Sequence, residues 1–162
     1  KVIYYCNLAR MNGALFAKTF LTDYLKSKGI KENSYTKSLF EDLKKQPVTI
    51  PLEPGKDLYD AAKFHAEDMG KTGKTGHNST AGKNFSARMS ALTSKYMGTG
   101  ENCSYGYDGA LDIVFQLLID DGVASLGHRK NILNKNFKFV GVSIAPHKTY
   151  RHNCVMDFGN GK

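Results

Sequence analysis

The sequence predicts an α+β domain in which helices cover a small sheet. Apolar residues recur at helical spacing as far as Leu133, then alternate with polar or small ones after Phe137. The 162 residues, 41% hydrophobic and 23% charged, suffice for one folded domain, 1–162, with a sizeable core and no disordered stretch. With 16 Gly, 4 Pro and no Trp, the composition suits elements joined by tight turns.

Val2, Ile3, Cys6 and Ala9, then Leu15, Phe16 and Phe20, keep helical spacing with a break at Asn12-Gly13. Two abutting helices are expected over about residues 1 to 27, closed by Lys28-Gly29. Ser34 reads as the N-cap of a helix through Lys45, stopped by Pro47, because a serine oxygen can take a free backbone N–H. Pro51 to Gly55 reads as loop. Asp57 then caps a helix whose Leu58, Ala61, Ala62, His65 and Met69 share one face. Gly70 to Gly82 is turn chemistry and reads as a surface loop. A short helix follows around Phe85 to Leu92. After the glycine-rich Gly98-Thr99-Gly100, Asp108 caps a helix over Ala110 to Ile119, and another helix carries His128 to Leu133. Val140, Val142 and Ile144 alternate with Gly141, Ser143 and Ala145, and a second strand spans Cys154 to Phe158. The two form an antiparallel pair joined by Pro146 to Arg151.

The formal net charge of +8 comes mostly from scattered Lys, without a block of like charges or a nucleic-acid signature. It reads as a solvated surface, and nucleic acid is not an expected partner. Cys6, Cys103 and Cys154 are too few for a disulfide scaffold or a Cys-rich zinc site. They read either as one bridge, Cys103 to Cys154, or as three small buried residues. No apolar run approaches the roughly 18 residues of a membrane span. The chain opens at Lys1 without an initiator Met or signal segment and reads as a processed or trimmed product.

Three polar stretches suggest chemistry: Gly76-His77-Asn78-Ser79, Gly100-Glu101-Asn102 and Ser125-Leu126-Gly127-His128-Arg129. Each alone has a plain structural reading, as an exposed loop histidine, a turn cap or a helix start. His65 sits on an apolar helix face and reads as a satisfied core histidine, while His147 and His152 flank the hairpin turn and read as exposed.

The order of the segments says more than any one of them. Ala61 to Met69, Gly76-His77-Asn78-Ser79, Gly100-Glu101-Asn102, Gly127-His128-Arg129-Lys130-Asn131, Val140-Gly141-Val142 and Met156-Asp157-Phe158-Gly159 occur in succession. That series closely resembles the CAP superfamily (cysteine-rich secretory proteins, antigen 5 and pathogenesis-related proteins), most of all its bacterial branch, from Asn7 to Gly159. The resemblance implies a three-layer α-β-α sandwich around a small central antiparallel sheet, with a cleft holding two His and two acids. By motif these are His77, Glu101 and His128. The second acid, a Glu after a Trp in many members, falls here on Asp120 or Asp121, and the Trp is missing.

Two imidazoles meeting at one point suit zinc or another divalent cation, with carboxylates fixing each ring's tautomer from behind. His77 and His128 are the expected metal ligands, and Glu101, Asp120 and Asp121 the candidate cleft acids. The resemblance implies a monomeric secreted domain, extracellular or periplasmic, binding a small ligand (lipid or sterol), a peptide or a cell-surface glycan. Catalysis is left open. The alternative is a metal-dependent hydrolase or peptidase using water activated at His77 and His128, since no serine elbow, His-Glu-x-x-His helix or catalytic Cys context is present. A third reading is an adhesion module whose basic surface does the binding.

Overall fold

The computed structural model describes residues 1–161. Helix α1 (Val2–Met11) is followed by α2 (Gly13–Phe16) and α3 (Thr22–Ser27), the last two joined by a π-helical turn over Ala17–Leu21. The break falls where expected, at Asn12, whose side chain accepts the Leu15 N–H. In α4 (Ser34–Lys45) the cap is Asn33 rather than Ser34. Asn33 and Thr36 each bond the other's backbone N–H through their side chains. Then come β1 (Glu53–Pro54), α5 (Lys56–Thr72), α6 (Phe85–Met89) with a 3-10 turn at Ser90–Leu92, and β2 (Tyr96–Tyr105). Helices α7 (Ala110–Ile119) and α8 (Gly127–Leu133) precede the hairpin of β3 (Phe139–His147) and β4 (Arg151–Gly161).

The strand order is β1-β3-β4-β2, with β2–β4 and β3–β4 antiparallel and the short β1 parallel to β3. The β3–β4 hairpin is the one the alternation predicts. β2 occupies a stretch to which the sequence assigns no element: Gly98-Thr99-Gly100 is glycine-rich, yet Thr99 to Tyr105 pair residue by residue with β4. Pairing, not local propensity, makes this strand.

Successive strand residues face opposite layers. Val140, Cys154, Met156 and Phe158 join Cys6, Phe16, Leu39 and Phe115 in the larger core, built from α1 to α4 and α7. Cys103, Ala145 and Val155 instead meet Ala62 and Ala66 of α5. Helices therefore cover both faces, giving a three-layer α-β-α sandwich.

Glycine brings α5 against the sheet. A Cβ on Gly141 would stand 2.0 Å from the Leu58 carbonyl carbon and the Tyr59 nitrogen, and one on Gly70 would stand 2.2 Å from the Pro146 oxygen. Gly70 is thus a packing residue inside the helix, which explains why α5 runs past it to Thr72 and ends at left-handed Gly73. Asp57 and Asp108 do not cap their helices; Gly55 and Gly109 hold those positions.

All three cysteines are free and buried. Cys103 and Cys154 enter different cores on opposite faces of the sheet, so no bridge joins them. His147 is buried rather than exposed: Nε2 donates to the Lys74 carbonyl at 2.9 Å, and Nδ1 accepts the Thr149 and Tyr150 N–H groups. It pins the hairpin turn. His152 is half-buried, 4.0 Å from Asp108.

Candidate functional site

Strand β2 is a sheet edge, and its neighbours Glu101 and Asn102 point to opposite layers. Glu101 reaches toward the loop that leaves α5, whereas the Asn102 amide donates to the carbonyl of His128 at 3.0 Å. The two predicted histidines thus flank one strand, each on its own layer.

His77 sits in a loop tied down on several sides. The Gly76 N–H donates to the Tyr105 hydroxyl at 2.8 Å, the Gly76 carbonyl accepts from His65 Nε2 at 2.9 Å, and the Thr80 N–H donates to Asp68 at 2.7 Å. His77 Nδ1 then lies 2.7 Å from Glu101 Oε1. Arg88 of α6 closes the arrangement. Its guanidinium donates to both Glu101 oxygens at 2.6 Å and to the His77 carbonyl at 3.0 Å. Burial pushes the Glu101 carboxyl up, but the His77 hydrogen bond and the Arg88 charge outweigh it and hold the group below its ordinary value.

His128 opens α8. Asp120, which ends α7 in the left-handed region (φ 56°), sets one oxygen 2.7 Å from His128 Nδ1. Its other oxygen accepts the backbone N–H groups of His128 and Arg129 at 3.0 and 3.4 Å. Asp120 is therefore the orienting acid and also satisfies two N–H groups in the first turn of α8, whose N-cap residue is Leu126. Asp121 is exposed and accepts from Asn33 at 3.3 Å instead. The neighbouring Arg129 turns inward, donating to the carbonyls of Leu118, Ile119 and Tyr35 and to Ser38 and Asp42. It anchors α8 to α7 and α4.

The predicted residues therefore form two matched pairs, His77 with Glu101 and His128 with Asp120. In each pair the carboxylate is buried and the ring partly exposed. Neither Nε2 has a hydrogen-bond partner among the described residues. A cavity of about 390 Å³ adjoins His128 and Asp120, walled by Tyr24, Ile30, Leu117 and Cys103.

Three further participants are not among the site residues the sequence predicts. Arg88 is a lone cation on a short helix. Asp157, in the segment Met156 to Gly159, pairs across the strands with Glu101 and is fully buried. Burial and the neighbouring Glu101 charge push its carboxyl up to about 9, which favours the protonated form at neutral pH, and neither of its oxygens has a hydrogen-bond partner among the described residues. His65 is the buried helix histidine the sequence suggests, but its Nδ1 has no partner. One nitrogen of His65, an oxygen of Glu101 and Cys103 Sγ lie within 4.8 Å of one another, a possible metal-ligand group.

The model of the cysteine-rich secretory protein family, CAP, matches residues 49–158, more than half of the chain. The chain belongs to the CAP family. Among solved structures, this CAP domain is similar to an outer surface protein from Borrelia burgdorferi, at TM-score 0.59 and 20% identity over 82% of this chain and 97% of that one. It is also similar to an extracellular protein containing an SCP domain from Bacillus anthracis str. Ames, at TM-score 0.56 and 22% identity over 69% of this chain. The CAP domain spans 34% of that Bacillus protein. No curated protein matches the chain. These likenesses support the sandwich fold. No helix of the CAP domain is long and apolar enough to cross a membrane among the described residues.

Proposed function

We propose that this chain is a secreted, monomeric CAP domain, acting outside the cell or in the periplasm, whose His/acid cleft binds a divalent cation or a small ligand without turning it over. The observation that carries this reading is the paired geometry. Each ring directs Nδ1 at its own buried carboxylate, 2.7 Å away in both cases, which leaves Nε2 as the free nitrogen. This is the outer-shell arrangement that fixes tautomer and raises basicity in metal-binding histidines. Two imidazoles, each backed by a carboxylate, are donor types that suit a borderline divalent ion. His77 and His128 would hold it through Nε2, with Glu101 and Asp120 behind them. A bound cation would supply Lewis acidity toward a ligand entering the adjoining cavity. The two similar proteins, one extracellular and one of the outer surface, support a location outside the cytoplasm.

Hydrolysis has less support. The Ser79 hydroxyl is buried and accepts the Lys83 N–H at 3.1 Å, inside its own loop. The Cys103 thiol is held well above its ordinary value by burial and by the charges of Glu101 and Asp157. Neither is an activated nucleophile.

Zinc calorimetry on the wild type and on a His77→Ala/His128→Ala variant tests the proposal. A binding isotherm that disappears in the variant is expected. Equal heats in both proteins would refute it.

A further inference from the structure

We propose that His65, Glu101 and Cys103 form a second cation site, selective for a thiophilic divalent metal of the zinc class, behind the His77/His128 cleft. The site shares Glu101 with the cleft reading, where that carboxylate orients His77, but its thiol and its helix histidine are given no role there.

Placement comes first. Glu101 and Cys103 are two apart on β2, so they share the face that α5 covers, and His65 projects from α5 onto that face. Their ligand atoms already lie within 4.8 Å of one another. Closing on a tetrahedral ion brings such atoms to roughly 3.5 Å, a short movement for an edge strand.

The state of the histidine is the second, independent observation. His65 is fully buried, and Nε2 donates to the Gly76 carbonyl at 2.9 Å. Nδ1 is then the nitrogen with the lone pair, and it receives no hydrogen bond. A buried imidazole lacking a donor is costly unless another group satisfies it. A cation taken by Nδ1 would satisfy it with the Gly76 bond intact, whereas one taken by Nε2 would replace that bond.

Charge is the main objection, since Arg88 already touches Glu101. A carboxylate offers about four lone-pair positions. His77 and Arg88 occupy three of them. A dication beside Arg88 would face the Glu101 carboxylate and the Cys103 thiol, which releases its proton on ligating, while the Asp157 carboxyl across the strand pair is pushed toward its neutral form, so two negative groups oppose three positive charges. Thiolate in the set favours zinc-class ions over magnesium or calcium. Access exists, because Cys103 also lines the cavity beside His128.

The test is a cobalt(II) titration of the folded protein, followed by the thiolate-to-cobalt charge-transfer band in the near ultraviolet. The band is expected in the wild type and in His77→Ala/His128→Ala, with displacement by zinc. It is expected to be lost in Cys103→Ser and in Cys103→Ala, each checked for native circular dichroism. Absence of the band in the wild type overturns the proposal, as does a band that survives in whichever Cys103 variant folds. Cobalt binding without the band that vanishes only in the double-histidine variant supports the cleft alone and also overturns this site.

Discussion

Asp120 holds His128 twice, through the ring at 2.7 Å and through the backbone N–H at 3.0 Å. One side chain thereby sets both the start of α8 and the direction of its imidazole. The left-handed turn at Asp120 is what lets a residue at the end of α7 reach the first turn of α8.

Asp120→Ala is expected to cost about 1–2 kcal/mol of stability through the lost bonds to the first-turn N–H groups of α8. It is also expected to weaken zinc binding by about 10–100-fold through the freed ring. Asp121→Asn is expected to change neither. Urea denaturation and calorimetry on the two variants check this contrast.

Removing Arg88 leaves Glu101 buried without its cation. For Arg88→Met the expected loss is on the order of 3–5 kcal/mol, as for other buried pairs broken from one side. The same change frees the His77 carbonyl, so proteolysis of the 73–84 loop should accelerate. Denaturation midpoints and limited digestion measure the two effects.

Asp157 makes a pH prediction with a definite sign. Its carboxyl rises from an ordinary 3.8 to about 9 in the fold. Between those values the unfolded chain has released a proton that the folded chain keeps, so this group's contribution to stability falls as pH rises and levels off above the window. Glu101, depressed in the fold, works the other way: its contribution is present above its unfolded pKa and lost at the acid end. Asp157→Asn should therefore gain stability relative to wild type from about pH 5 to about pH 8. Denaturation at several pH values, with a chelator present, checks it. A constant difference would contradict the assignment.

Gly141→Ala is expected to destabilise by about 3 kcal/mol or more, because its Cβ meets the backbone of α5 rather than a yielding side chain. Gly76→Ala has open space and only a strained φ of 101°, so its cost should be smaller. Thermal melts rank the two.

What the sequence reveals follows from how locally each feature is determined. Val140 to Ala145 alternate and turn back through Pro146, so the hairpin is readable. β2 is not, because its glycines and polar Glu101, Asn102 and Ser104 acquire strand geometry only by pairing with β4. His77, Glu101 and His128 stand in short distinctive segments and are recovered together. Choosing Asp120 over Asp121 needs a backbone twist that sequence does not express. Arg88 and Asp157 act through residues distant in sequence, 13 positions for Arg88 to Glu101, and the Asp157 contact exists only through strand pairing. The burial of His147 is not legible either, because its role is to accept the amides of its own turn.

In the proposed cleft, His77 and His128 present Nε2 to the ligand while Glu101 and Asp120 keep Nδ1. Imidazole nitrogen-15 NMR during a zinc titration addresses this atom by atom. Both rings are expected to hold a proton on Nδ1 before and after zinc, with the metal-induced shift confined to Nε2. No shift at either ring, or coordination through Nδ1, would contradict the claim.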